Sequence, residues 1–198
     1  MTQSGAILAV CTGNLCRSPV LERLLQLAFQ QHWPEAVDGI VVTSAGTHAM
    51  VGHPVPRPLM QRLSAAGADA SPFSPRQLTR EMLEQADLVI ALSRAHRSFI
   101  VEMHPRAVHT TLTLRELARV AAALPTGDRA PIEPRARLQV FTTAVANSRG
   151  LTAPAVPEDD DVVDPYRGDD ELYQLAWDQL VVGTSAIARA LVPPRSRT

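Results

Sequence analysis

Along this chain, short and uniformly apolar runs alternate with longer segments in which apolar residues recur every three or four positions. Residues 6–10 (Ala-Ile-Leu-Ala-Val) form the first run, the pattern of a short fully buried strand. Residues 20–29 follow with helical spacing, until His32-Trp33-Pro34 breaks it, and 39–46 reads as a second buried strand with its turn. The spacing predicts a helix over 56–67, with Leu59, Met60 and Leu63 inward, Pro58 in its first turn and Gly67 as its stop. Residues 72–80 are turn-rich, 82–86 continue a short helix, and 87–92 read as a third strand. Ser93 caps a helix to about Met103, ended near Pro105, and 108–112 reads as the fourth strand. Thr113-Leu114-Arg115-Glu116 is a capping box opening a helix over 114–124. Residues 134–147 are weakly helical, with Leu138, Phe141 and Val145 on one side. A long final helix spans 170–191, with Leu172, Leu175, Ala176, Leu180, Ile187 and Leu191 inward and Tyr173 and Trp177 as packing. Four strands alternating with helices predict an α/β fold, a doubly wound four-stranded parallel sheet with helices on both faces.

Composition narrows this picture without redirecting it. The chain has 198 residues, 45% of them hydrophobic, and a net charge of −1, which fits a single domain over 1–198 with a sizeable core. Basic residues are nowhere concentrated enough for nucleic acid; Arg195 and Arg197 make only a short basic tail. No apolar run approaches a membrane span, and the first residues lack a positive region and a cleavable apolar segment, so neither membrane nor export is expected. The two cysteines, Cys11 and Cys16, are too close together for a disulfide framework, and a reducing, cytoplasmic setting fits them. The six histidines include His96, His104 and His109, but none has a carboxylate or cysteine at ligand spacing; no metal and no cofactor are expected.

The candidate chemistry lies between the first strand and the first helix, in Cys11-Thr12-Gly13-Asn14-Leu15-Cys16-Arg17-Ser18-Pro19. Pro19 suits the first helical turn, and Ser18 is placed to cap the helix start. Backbone N–H groups of such a loop converge with a helix N-terminus to make an anion site. A cysteine beside those dipoles and one guanidinium is stabilised there only as its thiolate. Arg17 can grip two oxygens of a tetrahedral oxyanion with its planar fork. A phosphoryl group so held has its phosphorus near the Cys11 sulfur, the arrangement for transfer through a phosphocysteine. Ser18 is placed to hydrogen-bond the sulfur. Gly13 is expected to turn with positive φ, and Asn14 to tolerate the left-handed region. Thr12, Gly13, Asn14, Leu15, Cys16 and Ser18 are thus the expected phosphoryl-binding residues. Cys16 can also trap an oxidised Cys11 as a disulfide, or simply fill the loop's base.

Val-Cys-Thr-Gly-Asn-Leu-Cys-Arg-Ser-Pro near an N-terminus resembles the phosphate-binding loop of the low-molecular-weight protein tyrosine phosphatases. The resemblance implies the flavodoxin-like phosphatase fold and a phosphotyrosine-protein substrate, with inorganic phosphate as product. It implies that Ser44, in Thr43-Ser44-Ala45-Gly46-Thr47, hydrogen-bonds Asn14 and holds the loop's shape. His48 and His53 fall in a loop that borders the substrate mouth in the family, and solvated loop histidines are the plainer reading. The family's general acid lies in an Asp-Pro pair shortly before the last helix, the place of Asp164-Pro165. A leaving oxygen needs such a proton donor, which then serves as base for the attacking water. Family members often carry an aspartate near Pro56, and this chain does not. Against the family's compact core, about 125–158 is extra length, a lid, a partner surface or a mobile loop, ending in a solvated acidic run; removing 134–151 is expected to spare the core.

Substrate is less sharply marked. Arginine phosphatases of this fold commonly carry threonine before the second loop cysteine, and Leu15 leans toward tyrosine. An arsenate reductase that shuttles an intramolecular disulfide needs further cysteines, whereas one borrowing an external thiol needs only Cys11. A non-catalytic phosphate-binding module is the third alternative, and the oligomeric state is left open.

Overall fold

In the computed structural model, residues 4–124 and 132–193 are described. The linker-like stretch 125–131, the first three residues and the basic tail lie outside them. Four strands, β1 (Gly5–Cys11), β2 (Ile40–Gly46), β3 (Leu88–Ala91) and β4 (Thr111–Thr113), form one parallel sheet in the order β2-β1-β3-β4. The chain winds one way from β1 to β2 and the other way from β3 to β4. The β1/β3 junction is therefore the switch point, and the carboxyl ends of its strands form the crevice where such sheets bind ligands.

The central strands β1 and β3 read as unbroken apolar runs because both faces of the sheet are covered. Ile7, Ala9, Leu88, Ile90 and Leu112 face one layer, built from α1 (Arg17–His32), α3 (Arg57–Ala65), α6 (Leu114–Ala123), α7 (Pro134–Asn147) and α8 (Asp170–Leu191). Leu8, Val10, Val89 and Ala91 face the other, with α4 (Arg80–Gln85) and α5 (Arg94–Met103). The short α2 (Glu35–Gly39) leads into β2. Among the described residues no helix is long and apolar enough to cross a membrane.

The capping box of α6 and the Ser93 cap of α5 form as the sequence predicts. Three details differ. The fourth strand starts later, because Pro105 opens a 3-10 helix, Pro105–His109, that absorbs the start of the expected run. On α8, Tyr173 is buried, and Leu175, two positions on and so across the helix, is 46% exposed. The third concerns the segment expected to be a lid or mobile loop. Leu138, Phe141 and Val145 of α7 belong to the main core, and Leu138 and Val145 have no exposed surface. Helix α7 enters tightly against α2: a Cβ on Gly39 would stand 2.5 Å from the Pro134 ring. Its far end is pinned by Arg149, which reaches the Val108 and Thr111 carbonyls and pairs with the buried Glu116. The expectation that the core survives without 134–151 is therefore revised.

Candidate active site

The Cys11 loop occupies the carboxyl end of β1, at the switch point. Its carbonyls are drawn outward. Those of Cys11, Thr12 and Gly13 accept from the N–H groups of Thr47 (2.9 Å), His48 (2.9 Å) and Met50 (3.0 Å). This outward turn leaves the loop's own N–H groups for its concave side. The 43–47 segment can press this close because of Gly46, where a Cβ would stand 2.5 Å from the Thr12 oxygen. Asn14 takes the left-handed turn, at φ 52°. Gly13 does not, contrary to expectation, so its value here is not conformational freedom.

Of the two contacts expected of Ser18, the helix cap and the sulfur, only the second forms. Helix α1 begins at Arg17 with Cys16 as N-cap and no side-chain cap, so the first-turn donors stay unsatisfied by the protein's side chains. The Ser18 hydroxyl instead lies 3.0 Å from the Cys11 sulfur. The proton on that hydroxyl can be followed around a buried network. Arg76 N–H can only donate, and it reaches Asn14 Oδ1 at 2.8 Å, which fixes the amide's orientation. Asn14 Nδ2 then donates to Ser18 Oγ and Ser44 Oγ, both at 2.9 Å. Each hydroxyl must send its own proton elsewhere. Ser44 donates to Glu22 Oε2 at 2.6 Å. The Ser18 hydroxyl has two acceptors in reach, the Cys11 sulfur at 3.0 Å and the Ala45 carbonyl at 3.4 Å, the sulfur being the nearer. Burial pushes the Glu22 carboxyl up, against the Ser44 hydrogen bond and the Arg76 charge.

Arg17 is 6% exposed and faces the crevice from the other side. Its Nη1 donates to the Val162 carbonyl at 3.2 Å and its Nη2 to Asp164 Oδ2 at 2.7 Å. Its Nε is buried and has no partner, a donor available to an oxyanion. Asp164 itself is half-exposed, and its second oxygen accepts from Tyr166 N–H at 3.2 Å. One guanidinium thus links the Cys11 loop to an Asp-Pro loop 147 residues on. Burial pushes the Cys16 thiol up to about 12, aided by Cys11 and Asp164, so that thiol is neutral. His48 and His53 are exposed. Among the described residues no group of three or more His, Cys, Asp and Glu side chains is placed to hold a metal ion.

Residues 6–124 match the model of the low molecular weight phosphotyrosine protein phosphatase family. The chain belongs to that family. Its members are hydrolases, and the chain is read as one of these enzymes. It is 34% identical over 107 residues to the low molecular weight protein-tyrosine-phosphatase Etp of Escherichia coli, an alignment covering 54% of this chain and 67% of that one. It is 28% identical over 185 residues to a protein-arginine-phosphatase of Geobacillus stearothermophilus, covering 93% and 95%. The structure of the YwlE arginine phosphatase from the same organism superposes with a TM-score of 0.65 at 27% identity, over 93% of this chain and 90% of that one.

Within this family fold, three contributors, Glu22, Arg76 and His96, were not placed in the site by the sequence. Glu22 lies four residues beyond Ser18, on the helix face turned to the loop; that spacing was the available signal. Arg76 contributes mainly through its backbone N–H, which no side-chain pattern announces. His96 is buried at the first turn of α5, its Nε2 2.8 Å from Thr12 Oγ1 and its Nδ1 2.8 Å from Ser93 Oγ. Burial, then the Arg17 charge, pushes the His96 ring down to about 4, so it stays neutral. Part of the acidic run, expected to be solvated, is paired: Asp160 with Arg119 at 2.7 Å and Asp161 with Arg94 at 3.3 Å. Glu158 reaches Arg94 at 2.8 Å and stays exposed, and Asp159 accepts from the Val156 N–H.

Proposed function

We propose that the protein hydrolyses phosphotyrosine in proteins through a phosphocysteine on Cys11. The observation that carries this reading is the single guanidinium of Arg17, six residues from Cys11 and paired with Asp164 at 2.7 Å, while the Cys11 sulfur lies 3.0 Å from the Ser18 hydroxyl. In the first step the Cys11 sulfur attacks phosphorus, an S–P bond forms and the P–O bond to tyrosine breaks. Asp164 gives its proton to the departing phenolate oxygen. The loop N–H groups and Arg17 hold the three remaining oxygens, donors fixed before the charge develops. In the second step Asp164 takes a proton from water, the water oxygen bonds to phosphorus and the S–P bond breaks. Inorganic phosphate leaves, and Cys11 departs as a thiolate that keeps the Ser18 hydrogen bond. No cofactor enters either step, and two free buried cysteines suit a reducing, cytoplasmic setting.

A second reading, phosphoarginine as substrate, is favoured by one observation. The arginine-phosphatase alignment takes in 93% of this chain, whereas that of Etp takes in 54%. Phosphate release from phosphotyrosine and phosphoarginine peptides, measured side by side, decides between them. Faster release from phosphotyrosine supports the first reading, and faster release from phosphoarginine replaces it. Release from neither peptide moves the assignment to thiol-coupled arsenate reduction or phosphate binding without turnover.

A further inference from the structure

Residues 161–169, which carry Asp164, form no helix or strand, so something else must fix that carboxyl group. A general acid works only within about 2.6–3.2 Å of the oxygen it protonates. Arg17 donates to the Val162 carbonyl and to Asp164, and Gln179 on α8 accepts from the Val163 N–H at 2.9 Å. At the entry to the loop, the contacts gather at the end of β3 and the first turn of α5, with Arg115 of α6 beside them. Val162 N–H donates to the Leu92 carbonyl at 3.0 Å. Asp161 Oδ1 accepts from the Arg94 N–H at 2.6 Å, and its Oδ2 from the Arg94 guanidinium at 3.3 Å. The same guanidinium donates to Glu158 at 2.8 Å, and Arg115 to the Asp161 carbonyl at 3.2 Å. Two residues further along α5, His96 grips Thr12 of the Cys11 loop. Leu92 N–H, on the strand end between them, is bonded to the Val10 carbonyl at 2.9 Å. One rigid helix start therefore touches both halves of the site.

We infer that the first turn of α5 is a bracket that sets the Asp164 loop over the Cys11 loop, with Arg94 and Asp161 as its positioning residues. Neither residue touches the reacting atoms. Asp161 bonds the N–H of the first α5 residue, where the helix dipole favours a carboxylate, and its second oxygen takes a charge-assisted bond from the same residue's side chain. Two residues separate this anchor from Asp164, and Arg17 and Gln179 hold the stretch beyond it, so releasing the anchor loosens the placement of the acid and leaves the sulfur in place. The inference rests on Asp164 being the acid, as proposed above.

The test uses kcat/KM, which reports phosphoryl transfer to the enzyme, for p-nitrophenyl phosphate and phenyl phosphate. The first has an activated leaving group that scarcely needs an acid. The second needs one. The ratio of the two values is compared in the native enzyme and in Asp161→Asn, Arg94→Gln and Asp164→Asn. Asp164→Asn should raise the ratio by about 100-fold, the lower end of what a general acid contributes. Asp161→Asn and Arg94→Gln should each raise it by about 10-fold, and Asp161→Asn should add nothing in the Asp164→Asn background. Equal losses on both substrates, or an unchanged ratio, in the two bracket variants while Asp164→Asn raises it would overturn the bracket and leave the acid standing. An unchanged ratio in Asp164→Asn would overturn the acid assignment and the bracket with it. Arg94→Gln keeps the backbone N–H that receives Asp161, so it supplies the answer if Asp161→Asn fails to fold.

Discussion

The Cys11 loop and the segment from 132 to 164 reach the same crevice by opposite means. The loop closes on itself: Cys11, Asn14 and Ser18 bond one another within eight residues, between a strand end and a helix start. The later segment has no such closure. Its helix α7 gives apolar side chains to the core, and its acidic run is tied to Arg94 and Arg119 on distant helices. The first region holds the proposed nucleophile, and the second gives stability through α7 and brings the proposed acid, Asp164, to the crevice. The two are separable, because a loop preorganised by its own side chains needs the rest of the fold mainly as a platform.

Substitutions in each region should break this division if it is wrong. The largest effect is expected from Cys11→Ser. Phosphate release should fall to background, while binding of inorganic phosphate, followed by calorimetry, and the urea midpoint stay close to native. Residual turnover within about 10-fold of native would remove Cys11 as nucleophile. Leu138→Ala on α7 should do the reverse. Emptying a fully buried site is expected to cost about 2–5 kcal/mol in urea titration, with kcat/KM of the folded fraction retained. A cost below about 0.5 kcal/mol would return this helix to the status of an appendage.

The pH dependence sharpens the same contrast at the seam between the regions. The His96 ring lies near 4 when folded and at the ordinary 6.5 when exposed, so between those values the unfolded chain binds more protons. The stability owed to this ring is therefore complete above about pH 6.5 and is lost as pH falls toward about 4, amounting to up to about 3 kcal/mol. Urea titrations at pH 7 and 4.5 should show a larger acid loss in the native protein than in His96→Gln. Equal losses would mean that the ring charges in place. The smallest effect is expected from Ser44→Ala, which leaves Asn14 Nδ2 and Glu22 each one bond short. Its cost should be about 1–3 kcal/mol. A fall in kcat/KM should accompany it, because Asn14 holds the left-handed turn of the loop.

Local features were legible in the chain. A strand, five loop residues and a helix are contiguous, so the Cys-x5-Arg-Ser spacing already constrains which groups meet. The Asn14 turn and the Ser44 contact with Asn14 could be anticipated, as could the Ser93 cap and the Thr113 capping box. Gly13 and the expected Ser18 cap misled in detail, since a glycine permits positive φ without requiring it and a serine can turn its hydroxyl away from a helix end, whereas the Ser18 contact with the sulfur formed as expected.

What the sequence by itself determined is this local set, together with the alternation of strands and helices, because both rest on short spacings and on side-chain periodicity. The tertiary structure decided the rest: that α7 is core, that part of the acidic run is paired, and that His96 touches Thr12. The polar contacts among these join residues 41 to 84 positions apart, and α7 packs against β1, farther still along the chain. An arginine or a carboxylate looks alike in sequence whether it faces water or a partner, and only the folded chain brings the partner near.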